Sequence, residues 1–144
     1  MGNKTYLITG ASKGIGRSIA MRLAKDGIQI VLLARQSEEL EDACREVQSL
    51  SSSSFMIPCD LAQSDSIDAA IESFNGIDSI DGIVHNAGTI APIRSMFEAE
   101  TDAWERTIQV NITGVQRLTK GLYSKMKASE RCRVTTISSG AALR

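Results

Sequence analysis

Gly10, Gly14 and Gly16 follow the β-rich run Thr5–Thr9 and lead into residues with helical spacing. A strand–turn–helix of this kind suits a pyrophosphate. Glycine lets the backbone turn tightly and approach a ligand, and the helix start offers unpaired N–H groups and the positive end of its dipole. The spacing is GxxxGxG, neither the GxGxxG fingerprint nor a phosphate loop ending in Gly-Lys-Ser/Thr. The same residues also suit a tight turn that holds no ligand. Further polar groups close later β-rich runs: Asp60-Leu61, Asn86-Ala87-Gly88 and Ser138-Ser139, while Asn111 lies in a long helical stretch. In a parallel sheet, ligands bind at the carboxyl edge where such groups collect.

The elements that must position these residues alternate from end to end. β-rich runs cover residues 5–9, 29–34, 55–59, 82–85 and 133–138. Between them apolar residues recur at helical spacing: Ile15, Ile19 and Leu23, then Leu40, Ala43, Cys44 and Val47, then Ile67, Ala70, Ile71 and Phe74. Ser37 and Ser64 are the expected N-caps of the second and third helices, and Gly27 the expected left-handed residue after the first. A single helix is expected over 101–128, with Trp104, Ile108, Val115, Leu118, Leu122 and Met126 on one stripe. Strand then helix, repeated, implies parallel strands, right-handed crossovers and a sheet covered on both faces. The continuously apolar Ile30-Val31-Leu32-Leu33 suits a strand buried on both sides. No repeat or linker divides the 144 residues, so one domain over 1–144 is expected.

Composition excludes several classes. With 16 Lys and Arg against 17 Asp and Glu, the net charge of -1 carries no basic excess for nucleic acid. The run 30–34 is far short of the ~20 residues of a membrane span. Met1-Gly2-Asn3-Lys4 leads into too short an apolar run for a signal peptide, and Tyr6 stands where myristoylation needs Ser or Thr. Cys44, Cys59 and Cys132 form no CxxC pair and read as buried small hydrophobes of a reducing compartment, which places the protein in the cytoplasm. His85, the single histidine, reads as a packed strand residue, and no cluster has metal-ligand spacing.

Taken in order and spacing, Thr9, the glycine turn, Asp60, Asn86-Ala87-Gly88, Asn111 and Ser139 resemble the short-chain dehydrogenase/reductase family across its N-terminal portion. The resemblance implies an α/β Rossmann-type doubly wound sheet of order 3-2-1-4-5. It implies that Thr9 ties the first strand to the Asn86 turn. Gly10, Ser12, Gly14, Ile15 and Gly16 would then hold the pyrophosphate and ribose. Asp60 would bind the adenine amino group, with Leu61 beside it, and Asn86, Ala87 and Gly88 would line the adenine ribose. Asn111 would hold a water of the proton relay, Ser139 would stabilise the carbonyl oxygen, and Ser138 would flank the cofactor.

An NAD enzyme carries a carboxylate at the end of its second strand. Ala34 stands there, followed by Arg35, with Lys13 in the glycine turn, which favours a 2′-phosphate and therefore NADP. The family's Tyr-x-x-x-Lys follows the serine, whereas the pair in this chain, Tyr123 and Lys127, precedes Ser139. Tyr123 is expected to be a partly buried aromatic and Lys127 a solvated charge. The fold is accordingly expected to be truncated after strand five. The expected function is an NADP-dependent oxidoreductase moving a hydride between nicotinamide and a small carbonyl or alcohol, a homo-oligomer when complete. The alternative is a catalytically silent dinucleotide-binding module.

Overall fold

Alternate residues of a strand face opposite sides of a sheet, so a strand apolar on both parities must be covered twice. The computed structural model, which describes residues 4–90 and 93–139, shows this arrangement. The N-terminal Met1-Gly2-Asn3 and the chain end at Arg144 lie outside those residues. The strands are β1 (Thr5–Thr9), β2 (Gln29–Ala34), β3 (Phe55–Pro58), β4 (Gly82–His85) and β5 (Arg133–Thr136). All neighbours pair in parallel, in the order β3-β2-β1-β4-β5.

Helices α1 (Gly14–Ala24) and α2 (Glu38–Leu50) cover one face, packing Ala20, Ala24, Leu40 and Val47 on Ile8, Ile30 and Leu32. The other face carries α3 (Ser64–Glu72), α5 (Gly114–Gly121) and α6 (Tyr123–Ala128). There Ile67, Leu118 and Leu122 meet Leu7, Val31, Leu33 and Ile83. Helix α4 (Thr101–Ile108) and a π-helical turn (Gln109–Thr113) precede α5.

Local capping follows the sequence in part. The Ser37 hydroxyl accepts from Leu40 N at 3.3 Å, as an N-cap should. Gly27, at φ 77°, closes α1 in a Schellman pattern, Gly27 N donating to Ala24 O and Ile28 N to Leu23 O. Ser64, in contrast, is the first helical residue of α3, and the N-cap is Gln63 without a side-chain bond. β3 and β5 end at Pro58 and Thr136, where their pairing with Ala34 and His85 runs out. Cys44 and Cys59 are buried as expected, but Cys132 is only partly so.

The expected single helix over 101–128 is broken twice. In the π turn Gly114 N reaches back to Gln109 O, and the Thr113 hydroxyl lies against the same carbonyl at 3.3 Å. Leu122, at φ -91° and ψ 2°, separates α5 from α6. Each break shifts the phase of the apolar stripe. Leu118 and Leu122 are therefore fully buried while Trp104 remains 52% exposed.

At the amino edge of the sheet Asp81 joins several segments. Its carboxylate accepts from Thr5 N at 2.9 Å and from the Ser129 hydroxyl at 2.7 Å. Its backbone N–H donates to Thr5 O, and its carbonyl accepts from Arg133 N.

Candidate functional site

Crossovers from β1 run toward β2 on one side and, through β4, toward β5 on the other. That reversal leaves a crevice at the carboxyl ends of the strands. A cleft of about 580 Å³ opens there. The turn after β1 supplies Gly10, Ser12 and Lys13, the end of β2 Ala34 and Arg35, the end of β3 Asp60 and Leu61, and the turn after β4 Asn86, Ala87 and Gly88.

The turn is held by Thr9, which is fully buried. Its Oγ1 accepts from Asn86 N and Ala87 N, both at 3.0 Å, and lies 3.4 Å from Val84 O. The Asn86 amide donates to Thr9 O at 3.1 Å and to Gly10 O at 3.2 Å. Asn86 is therefore a strut between β1 and β4 as well as a wall of the cleft. Gly10 has φ 65°, and a Cβ on it would lie 2.9 Å from Ala87 Cα. A Cβ on Gly16 would lie 2.3 Å from Gly10 O, so that glycine lets α1 pack on the turn. That constraint on a Cβ is protein against protein. Gly14 and Ile15 also line a shallow groove on the outer face of α1 beside Arg17 and Glu46.

Asp60 Oδ1 accepts from Ala62 N at 2.9 Å, and its Oδ2 stands 3.5 Å from Arg106. The neighbouring Cys59 thiol is pushed up by burial, which keeps it protonated and inert. Asn111 lies in the π turn and is clamped to Thr89. Its Oδ1 accepts from Thr89 N at 2.8 Å and its Nδ2 donates to Thr89 O at 2.7 Å. Ser138 and Ser139 follow β5 and are exposed, continuing beyond the bond from Ile137 N to His85 O.

His85 is buried, its Nε2 3.0 Å from the Thr119 hydroxyl, and burial pushes its pKa down. Tyr123 is 60% exposed, not partly buried, and the Lys127 ammonium sits 5.9 Å from its ring centroid. Helix α6 meets the amino edge, where Ile80 N donates to Lys125 O. Tyr123 thus stands at the end of the fold opposite Asn111.

Two charged residues of the cleft escape sequence reasoning. Arg106 reaches the site from α4, distant in sequence from Asp60. Glu39 reads as a solvated first-turn charge yet lines the cleft beside Lys13, Arg35 and Ser37. Only the sheet order brings these groups together. Among the described residues no cluster of His, Cys, Asp or Glu could hold a metal. Nor is any described helix long and apolar enough to cross a membrane.

The family model for short chain dehydrogenases matches residues 4–144. A fatty acyl-CoA reductase of Acinetobacter baylyi is 34% identical over 139 residues, 94% of this chain and 47% of the relative. A 3-oxoacyl-acyl-carrier-protein reductase of Staphylococcus epidermidis is 34% identical, with 78% of this chain and 47% of the relative covered. The chain thus spans about half the length of these curated relatives. Among solved structures, L-sorbose reductase from Gluconobacter frateurii, complexed with NADPH and L-sorbose, superimposes with a TM-score of 0.90 at 31% identity. That match covers 99% of this chain and 55% of the reductase. A Shigella flexneri short chain dehydrogenase complexed with NADP gives 0.90 at 26% identity, covering 100% of this chain and 62% of that one.

Proposed function

Since this chain belongs to the short chain dehydrogenase family, we propose that it forms the cofactor-binding and carbonyl-polarising part of an NADP-dependent oxidoreductase acting on a small carbonyl or alcohol. The observation that carries the cofactor choice is the pairing of Lys13 and Arg35 in one cleft whose second strand ends in Ala34. A carboxylate at Ala34 would bind a ribose 2′-hydroxyl, whereas two cations suit a 2′-phosphate. The NADPH- and NADP-bound neighbours support the same choice.

The groups present fit a dinucleotide. The turn at Gly10 is too crowded for a Cβ, and the start of α1 carries no acidic residue to repel a pyrophosphate. Bound there, the nicotinamide cofactor supplies or accepts a hydride. The backbone N–H groups of Ser12 and Lys13 in the turn, and of Gly14, Ile15 and Gly16 in the first turn of α1, would hold the pyrophosphate and its ribose. Asp60 would accept from the adenine amino group beside the Leu61 backbone, and Ala87 and Gly88 would line the adenine ribose with Asn86 bracing them. Ser139 donates to the substrate carbonyl oxygen and stabilises charge that develops there, with Ser138 on the cofactor side. Asn111 fixes the Gly88–Thr89 turn, and its remaining Oδ1 lone pair is available to a relay water.

A second reading, a binding module without turnover, is favoured by the place of Tyr123 at the far edge of the fold. Calorimetric titration with NADPH and NADH at fixed salt tests the first claim, and the expected result is tighter NADPH binding. Equal or tighter NADH binding overturns it. NADPH oxidation with a panel of diketones and quinones separates the readings: binding without oxidation favours the silent module.

A further inference from the structure

The 2′-phosphate end of the cleft contains one group that works against the proposed cofactor. Lys13, Arg35 and Ser37 line it, and Glu39, from the first turn of α2, lines it with them. The Ser37 hydroxyl oxygen accepts from Leu40 N, which leaves its proton for another acceptor. That acceptor is the Glu39 carboxylate, which also receives its own backbone N–H and faces Lys13. These contacts, the backbone bond foremost, hold the Glu39 carboxyl below the usual carboxylate range. A hydroxyl and a backbone N–H bound to one carboxylate, with the Lys13 ammonium lining the same cleft, are donors that would also serve a phosphate.

We propose that Glu39 is a specificity-determining residue of the cleft, a built-in carboxylate that competes with the cofactor's 2′-phosphate for Lys13 and Ser37 and so moderates the preference for NADP over NAD. This rests on the NADP reading above, because the competition exists only where a 2′-phosphate arrives. Two consequences separate it from an ordinary surface charge. The 2′-phosphate and the Glu39 carboxylate exclude each other at Lys13, so removing the carboxylate strengthens binding of phosphorylated ligands. Ligands without that phosphate do not reach the donor set and stay unaffected. The acid differs in kind from one at the end of β2, because it opposes one ligand without supplying a ribose contact to the other.

The test uses the 144-residue chain with 2′,5′-ADP and 5′-AMP as calorimetric probes, comparing the unsubstituted protein, Glu39→Gln and Glu72→Gln. Glu72 ends α3 on the other face of the sheet and controls for net charge. Removing one unit charge facing a dianion at several ångströms in water should tighten 2′,5′-ADP binding about three- to tenfold. 5′-AMP binding should stay within about 1.5-fold, and the gain should shrink as salt screens it. The Glu72→Gln chain should match the unsubstituted one, and matching melting curves confirm that all three are folded. If the unsubstituted chain and Glu39→Gln both prefer 2′,5′-ADP to the same degree, the role of Glu39 is overturned and the NADP reading stands. If the unsubstituted chain shows no preference but Glu39→Gln does, the competition is upheld and the NADP reading falls. If neither discriminates, or neither nucleotide binds, both ideas are overturned.

Discussion

His85 shows how one side chain can carry a pH dependence without taking part in chemistry. The Thr119 hydroxyl donates to Val115 O at 2.7 Å, so it accepts from His85 Nε2–H, and the tautomer is fixed. His85 Nδ1 is buried and, among the described residues, has no partner. Protonation would place an N–H there with no acceptor, in a site where burial already disfavours charge. The folded pKa lies below the ordinary 6.5, so the neutral ring's contribution is present above that value. It is lost as pH falls through the window beneath it, where the unfolded chain takes up the proton first. Urea midpoints should therefore fall between about pH 7.5 and 5.5, and fall less in His85→Gln. An identical drop in both proteins would remove His85 from the account. The sequence identified His85 as a packed strand residue because strand four is apolar around it. The partner of its Nε2 is a helix residue 34 positions later and leaves no local trace.

At the level of elements, the helical stretch after β4 is where periodicity misled. An apolar stripe assumes one phase, and the π turn at Gln109–Thr113 changes it in the middle. The nearest sequence signals are Gly114 and the Thr113 hydroxyl, and neither marks a π turn by itself. What requires the turn is tertiary. A Cβ on Gly114 would lie 2.5 Å from Leu61 O and 2.8 Å from Gln109 O, so the glycine lets the helix lie directly on the loop after β3. Gly114→Ala should cost about 1–3 kcal/mol in unfolding free energy, as overpacking does. It should also weaken nucleotide binding, because the displaced wall carries Asp60 and Leu61. Chemical denaturation and an AMP titration check both effects, and full stability with unchanged binding would refute the crowding. The strands, by contrast, were legible to within two residues, and for β1, β2 and β4 the reason is that doubly buried strands admit few other patterns.

Across the whole molecule the two edges of the sheet differ. Every residue of β5 is exposed, Val134 to 50%, and Trp104 and Ile112 are exposed on α4 and in the π turn. Among the described residues no strand pairs with the outer side of β5, and such an edge together with exposed apolar side chains invites association. Light scattering should show concentration-dependent self-association of the 144-residue chain, reduced in Val134→Lys. A monomer at all concentrations would count against it. The sheet order itself was readable from the family pattern, and so was the partial exposure of strand five; the exposed apolar side chains of α4 and the π turn were not, because the phase of those helices decides them. The opposite end of the strands behaves differently. Asp81 binds Thr5, Ser129 and Arg133, positions separated from it by 76, 48 and 52 places in the chain. In polymer terms it is a reversible crosslink that closes long loops, each doubling of which adds only about 0.6 kcal/mol to the closure cost. Through side chain and backbone together this one residue holds the starts of β1 and β5 to a single point, so that displacing it loosens both strands at once.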